Sequence, residues 1–145
     1  MKIVAQRVSD SKVKVDGRTV GAIGRGLLLL VGVHADDTTE AADFLSRKCA
    51  ELRIFPDSEG KMNLSLKDID GEALVISQFT LLGDCAKGRR PSFIEAAPPQ
   101  KGNSLYEYFA KQLKTQIRKV ETGIFGADMK VELTNDGPVT LILEK

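Results

Sequence analysis

The feature that most constrains this chain is the apolar run from Leu27 to Val33, which only Gly32 interrupts. A run of this kind is typical of a β-strand that is buried on both faces. It is also the longest apolar run in the chain, whereas a membrane span needs about 20 apolar residues. We therefore predict a core strand of a globular domain and no transmembrane segment.

The residues before this run predict a β-meander. Side chains from Ile3 to Val8 alternate between two faces, which is the period of a strand. Asp16-Gly17 then separates Val13 and Val15 from Val20, and this dipeptide favours a tight hairpin turn because both residues tolerate positive φ.

Two helices are predicted, from about residue 38 to 52 and from about residue 104 to 121. Asp37-x-x-Glu40 and Ser104-x-x-Glu107 each resemble a capping box, which marks the start of a helix. Apolar residues then recur at helical spacing. They are Ala41, Phe44, Leu45, Cys49 and Leu52 in the first helix, and Leu105, Tyr108, Phe109, Leu113, Ile117 and Val120 in the second.

The rest of the chain completes an α+β pattern. Residues 73–82, 129–134 and 139–143 are predicted strands, and 83–103 is a long irregular segment of the kind that is usually functional or disordered. The 145 residues suit a single domain, 1–145, without repeats or linkers. We predict antiparallel sheet layers with two covering helices.

Charge and composition exclude several function classes. There are 21 Lys+Arg and 20 Asp+Glu, a net charge of +1, which argues against a generic nucleic-acid coat. Local basic patches remain possible, although such clusters are usually solvated faces. Lys87, Arg89 and Arg90 form one cluster, and Lys111, Lys114, Arg118 and Lys119 lie along the second predicted helix.

Metal chemistry and histidine-based catalysis are both disfavoured. One histidine, His34, and two cysteines cannot build a zinc site, and we expect no cofactor. Cys49 falls on the apolar face of the first helix and Cys85 in a loop, so neither indicates a disulfide framework. Arg7 interrupts the stretch that a signal peptide would need to keep apolar, so we expect a cytoplasmic protein.

Two segments carry polar groups in unusual places. Ser77, Gln78 and Thr80 lie near the end of an otherwise apolar strand, where buried polar groups need hydrogen-bond partners. Three explanations are open: these residues have hydrogen-bond partners, they line a cleft, or the end of the strand leaves the core. Asn135-Asp136-Gly137-Pro138 is ordinary hairpin chemistry by itself.

Together these segments resemble the D-aminoacyl-tRNA deacylases. SQFTL at 77–81 and NDGPVT at 135–140 look like the two signature motifs of that family. The resemblance extends over nearly the whole chain, through AQRV at 5–8, GKMNLSL at 60–66, RRPSF at 89–93 and ETGIFGADM at 121–129. It implies a barrel-like deacylase fold.

The resemblance also implies an activity and a partner. Family members hydrolyse the ester between a D-amino acid and the 3′-terminal adenosine of tRNA, and they clear glycine mischarged on other tRNAs. They are cytoplasmic homodimers with active sites at the subunit interface. SQFTL of one chain would then face Gly137 and Pro138 of the other, whose cis peptide bond and carbonyls hold the substrate's amino group and reject L-amino acids.

Candidate site residues follow from this implied reaction. Ser77, Gln78, Phe79 and Thr80 would be catalytic, with backbone N–H groups near Phe79 binding the oxyanion. Thr80 is either a positioning group or a covalent nucleophile, and the second role lacks an evident base.

Further residues would bind tRNA. Phe125 and Met129 are an apolar adenine pocket or plain core, and Lys87, Arg89 and Arg90 could meet phosphates. Arg7 would support the Gly-Pro loop. Two other functions remain open: a binding module that has lost activity, and a threonine esterase acting on small molecules.

Overall fold

A computed structural model describes all 145 residues. Its main sheet contains six strands, and each strand is identified by its bounds. They are β1 (Lys2–Val15), β2 (Arg18–Ile23), β3 (Gly26–Gly32), β6 (Glu72–Ser77), β7 (Lys119–Thr122) and β8 (Lys130–Glu144). A small separate sheet pairs β4 (Phe55–Pro56) with β5 (Met62–Leu64). The helices are α1 (Thr39–Glu51) and α2 (Pro99–Lys114).

The sheet is built around β1. β8 pairs with β1 from Lys2 to Lys14, so β2 and β3 share the other edge of β1. From β3 the sheet continues through β6 to β7. An ideal Cβ on Gly21 of β2 would lie 2.8 Å from the carbonyl oxygen of Thr122 in β7. The outer strands therefore meet across the sheet, which curls into a nearly closed barrel.

Apolar side chains cover both faces of β3, which confirms the central prediction. Leu27 and Leu29 belong to the larger core cluster, between the sheet and the two helices, together with Phe109 of α2. Leu28 belongs to a smaller cluster inside the curl of the sheet, with Ile76 of β6. The predicted α+β class, the hairpin at residues 16–17 and helix α1 are confirmed.

Several predicted details were wrong. The sheet is mixed rather than antiparallel, because β3–β6 and β6–β7 are parallel pairs. The strand predicted over 73–82 ends at Ser77, and Phe79–Leu82 forms one turn of 3₁₀ helix. The two strands predicted at 129–134 and 139–143 are one strand, β8.

The two predicted capping boxes and the start of the second helix were wrong. α2 begins at Pro99 rather than Ser104, because a proline is well tolerated in the first turn, where its missing N–H is not needed. Ser104 donates its hydroxyl to the carbonyl of Gln100 inside that helix. At α1 the carboxylate of Asp37 does not cap the helix. It accepts the His34 N–H at 2.6 Å and the amino group of Met1 at 2.5 Å.

Gly26 of β3 pairs with Glu72 of β6, and this close approach requires glycine. A substitution at Gly26 therefore tests the stability of this pairing. An ideal Cβ there would lie 1.8 Å from the carbonyl oxygen of Glu72, a backbone atom that cannot rotate away. We expect Gly26→Ala to lower the free energy of unfolding by about 3 kcal/mol, measured by urea denaturation. Gly24→Ala is the matched control, since its Cβ meets nothing closer than 3.9 Å. Equal effects of the two variants would contradict this explanation.

Candidate active site

A cleft of about 670 Å³ opens where β6 ends. Three segments meet there: the end of β6 with the residues after it, the segment that leads into α2, and the connection between β7 and β8. The lining residues are Ile76, Ser77, Gln78, Phe79, Phe93, Ala96, Ala97, Pro98, Pro99, Phe125, Gly126, Ala127, Asp128, Met129 and Val131. The cleft is largely apolar with a few polar groups, which is typical of a small-ligand site.

The first three residues of the SQFTL segment, Ser77 to Phe79, line this cleft, whereas Thr80 and Leu81 do not, and the segment leaves backbone donors free. Leu81 donates its N–H to the carbonyl of Gln78 at 3.2 Å, which is the first hydrogen bond of the 3₁₀ turn. The N–H groups of Phe79 and Thr80 come before it and have no acceptor within the turn. Gln78 donates its side-chain amide to the Thr80 hydroxyl. The ring of exposed Phe79 packs edge-on against Phe93, with centroids 5.1 Å apart.

Phe125 and Met129 line the same cleft. Both are partly buried, and the ring of Phe125 lies 6.1 Å from that of Tyr106 in α2. They share this cleft with Ser77, Gln78 and Phe79, and each also packs against the core. An apolar surface with an aromatic ring suits a nucleobase, because single-stranded RNA bases stack on aromatic side chains.

The second motif forms a loop inside β8. Gln6 pairs with Thr140 and Val8 pairs with Asn135, so residues 136–139 lie opposite the single residue Arg7. The Gly137–Pro138 peptide bond in this loop is cis, as predicted. Gly137 has φ of +140°, and an ideal Cβ on it would lie 2.9 Å from the backbone nitrogen of Val139. The loop therefore requires glycine at this position.

Two side chains hold the Gly-Pro loop. Buried Arg7 donates Nε to the carbonyl of Asp136 at 2.9 Å and Nη1 to the carbonyl of Ile54 at 2.5 Å. Arg7 also forms an ion pair of 3.2 Å with the Asp136 carboxylate. Across the neck of the loop, Asn135 Oδ1 accepts the Val139 N–H at 2.8 Å. The contacts of the Asn135 and Asp136 side chains were not predicted, because the sequence indicated only a hairpin turn here and named no partners for these side chains.

Within one chain the Gly-Pro loop does not line the cleft that Ser77 to Phe79 line. Val131 reaches the cleft and pairs with Val13, whereas the Gly-Pro loop faces Arg7. The six residues of β1 between those positions span about 20 Å, at ~3.3 Å per residue. Neither Gly137 nor Pro138 lines the cleft. One chain therefore does not bring the two motifs to the same substrate.

The remaining candidates lie outside the cleft. Lys87, Arg89 and Arg90 are exposed in the loop that the Asp84–Ser92 bridge closes. His34 accepts the Asp36 N–H through Nδ1. Cys85 is exposed, whereas Cys49 lies in the core, where burial raises its thiol pKa to about 12.

No group of three or more metal-ligating side chains is present. No helix is long and apolar enough to cross a membrane.

Comparisons with known proteins agree on one family. The family model described as D-Tyr-tRNA(Tyr) deacylase matches residues 4–144. A D-aminoacyl-tRNA deacylase of Geotalea uraniireducens is 62% identical over 99% of this chain and 93% of its own length. One of Thermotoga petrophila is 60% identical over 99% and 97%.

Solved structures show the same fold. A c-Myc DNA unwinding element binding protein superimposes with a TM-score of 0.95 at 40% identity, over 100% of this chain and 99% of that one. A probable eukaryotic D-amino acid tRNA deacylase superimposes with a TM-score of 0.85 at 19% identity, over 99% and 98%.

Arg7 provides a test of how the Gly-Pro loop is held. Arg7→Lys keeps the charge, but one ammonium group cannot reproduce the forked bonds to two carbonyls. We expect hydrogen exchange of the Val139 amide to accelerate at least about tenfold, since a hydrogen bond to a charged group contributes ~1.5–3 kcal/mol. Arg18→Lys, at an exposed arginine without an ion pair, is the control. Unchanged exchange in both variants would show that Arg7 does not hold the loop.

Proposed function

The chain belongs to the D-aminoacyl-tRNA deacylase family and hydrolyses D-aminoacyl-tRNA, and we propose that the cleft lined by residues 77–79 is where it does so. The observation that carries this proposal is the composition of the cleft. Phe79, whose N–H group has no acceptor within the 3₁₀ turn, lines the cleft together with Phe125 and Met129, and the Thr80 N–H follows directly in the chain. Such a cleft can bind the terminal adenosine and hold its ester against backbone donors.

In the proposed mechanism, the protein positions the ester and stabilises the charge that develops on it. An aminoacyl ester is already activated, so orientation and oxyanion binding can supply much of the acceleration. The N–H groups near Phe79 bind the oxyanion, and the Gln78 side chain places the ester. The ribose 2′-hydroxyl of the substrate activates the attacking water. Ser77 is the last residue of β6 and lines the cleft where the chain leaves that strand.

Thr80 is a positioning group in this mechanism. Its hydroxyl accepts a hydrogen bond from the Gln78 amide, which orients both side chains. No histidine, lysine or carboxylate forms a hydrogen bond with that hydroxyl, whereas a nucleophilic threonine needs a base within reach.

We further propose that a second copy of the chain completes the site. The Gly-Pro loop of one chain does not line its own cleft, so in a homodimer it would serve the cleft of the partner subunit. Exposed apolar side chains, among them Phe79 and Ile142, are available for such an interface. Backbone carbonyls of the loop would then receive the substrate's amino group. An L side chain would collide with this backbone, whereas a D side chain or the hydrogen of glycine would not, so glycyl-tRNA is also a substrate.

Basic residues outside the cleft would bind the rest of the tRNA. Lys87, Arg89 and Arg90 are exposed in one loop and form no ion pairs, so they are free to meet phosphates. We expect the protein to work in the cytoplasm, where its substrate is made.

One structural relative is described as a DNA unwinding element binding protein, but a binding role without catalysis does not fit the D-aminoacyl-tRNA deacylases that this chain resembles over 99% of its length. The intact SQFTL and NDGPVT segments favour hydrolysis, because a protein that only binds nucleic acid does not need them.

The deciding experiment is to incubate the protein with matched D- and L-aminoacyl-tRNA and follow ester loss. We expect hydrolysis of the D-ester and of glycyl-tRNA, little hydrolysis of the L-ester, and no effect of a chelator. Thr80→Ala should keep measurable turnover, and no acyl-enzyme should be trapped with the native protein. A Thr80 ester adduct in the mass spectrum would establish the covalent route, and binding of the D-ester without hydrolysis would contradict the proposal.

If each active site is shared between two subunits, mixing two inactive variants should restore part of the activity. Gln78→Ala should impair the cleft, and Gly137→Ala should distort the loop through its Cβ contact with Val139. Random exchange of subunits would give half heterodimers, each with one intact site, and so about a quarter of native activity. The native protein should sediment at twice 15.8 kDa. A mixture no more active than either variant would show that the two motifs do not meet across subunits.

A further inference from the structure

A second cavity, of about 410 Å³, lies beside the proposed substrate cleft. Phe125 lines both cavities, so its ring forms part of the wall between them. The other walls come from α2, through Asn103 and Glu107, and from the end of β7, through Thr122 and Ile124. The volume falls in the range of ~300–1,000 Å³ that is usual for small-ligand sites. The proposed mechanism makes no use of this cavity.

Asn103 lines this cavity, and its buried side-chain oxygen is a hydrogen-bond acceptor without a partner. Its Nδ2 donates to Glu107 Oε1 at 3.0 Å. Its Oδ1 is the buried side-chain atom of this structure that has no hydrogen-bond partner. The reverse amide orientation would turn an oxygen toward the Glu107 carboxylate, so the observed one is favoured. A buried acceptor without a partner costs free energy, which a donor on a bound ligand would recover.

The polar and apolar parts of the cavity therefore select a particular ligand chemistry. Asn103 and Glu107 both offer oxygen atoms, so the ligand should carry an N–H donor. Phe125 and the half-exposed Ile124 offer apolar surface against which a flat ring can stack. A planar heterocycle with an exocyclic amine satisfies both requirements.

Two lysines extend the same face of α2. Lys111 lies two turns beyond Asn103, and Lys114 one turn further, so both share its side of the helix. Both are exposed and form no ion pair, unlike Arg118 and Lys119, which pair with Asp70 and Glu72. Unpaired lysines beside a cavity favour a ligand whose ring is joined to phosphates.

We propose that this cavity binds the cytosine that precedes the terminal adenosine of tRNA, an inference that rests on the proposed placement of that adenosine in the cleft. All tRNAs end in CCA, so the neighbouring base is always cytosine. Its N4 amine donates to Asn103 Oδ1 and Glu107, whereas uracil carries an acceptor, O4, at the same position. The Phe125 ring then lies between the two bases, and Lys111 and Lys114 meet the phosphates on the 5′ side.

Stable substrate analogues test this proposal directly. The probes are a D-aminoacyl adenosine whose ester is replaced by an amide, and the same compound extended at its 5′ end by cytidylate or uridylate. We expect the cytidylate extension to improve inhibition about tenfold, as for one well-stacked base, and the uridylate extension to improve it much less. Asn103→Leu should lose the preference for cytosine and leave inhibition by the unextended analogue unchanged, which also shows that the variant is folded.

Matched variants separate this site from general effects on α2. Gln112→Leu changes an amide on the opposite side of the helix, nine residues from Asn103, and should keep the preference. Lys111→Ala combined with Lys114→Ala should weaken the extended analogues and not the adenosine analogue. Lys48→Ala, at an exposed lysine of α1, should weaken none of them.

The outcomes distinguish this inference from the proposed function. Equal inhibition by all three analogues, or a cytosine preference that survives Asn103→Leu, would overturn the cytosine site and leave the deacylase cleft intact. Failure of the unextended analogue to inhibit, together with no hydrolysis of D-aminoacyl adenosine, would instead count against the placement of the adenosine.

Discussion

The fold depends on the pairing of β1 with strands along both of its edges. β8 follows one edge of β1 for nearly its whole length, and β3 and β2 share the other edge. Ile3 and Ala5 therefore face the helices, whereas Val8 and Val13 lie inside the curl of the sheet. This one long strand joins the two apolar clusters. Its pairing with β8 is interrupted where a loop of β8 leaves the regular ladder.

That departure occurs at Arg7. A buried guanidinium destabilises a protein unless acceptors surround it. The carbonyls of Asp136 and Ile54 and the Asp136 carboxylate supply them. The loop at 136–139 and the arginine therefore stabilise each other. A loop held in this way can present backbone atoms to a substrate at a defined position, which a flexible hairpin could not do.

The chemistry of the cleft is consistent with positioning rather than proton transfer. The groups with clearly raised pKa values are structural. Burial raises the pKa of Cys49 and of Tyr106 to about 12, and the Tyr106 hydroxyl donates to the carbonyl of Val75. The cleft combines backbone donors with apolar walls. Because its walls come from three separate segments of the chain, each contributes what the others lack: donors from 77–80, and apolar surface from 93–99 and 125–131.

The sequence by itself determined the strand at Leu27–Val33, the hairpin at Asp16-Gly17 and helix α1, because local periodicity and turn chemistry suffice for these elements. It also indicated the two motifs, through the resemblance to a family. Tertiary structure decided the parallel pairing of β3 with β6, the end of that strand at Ser77 and the continuity of β8 through Gly137. The physical reason is that strand partners, and the contacts of Arg7 and Asn135 across β8, join residues distant in sequence, which no local pattern records.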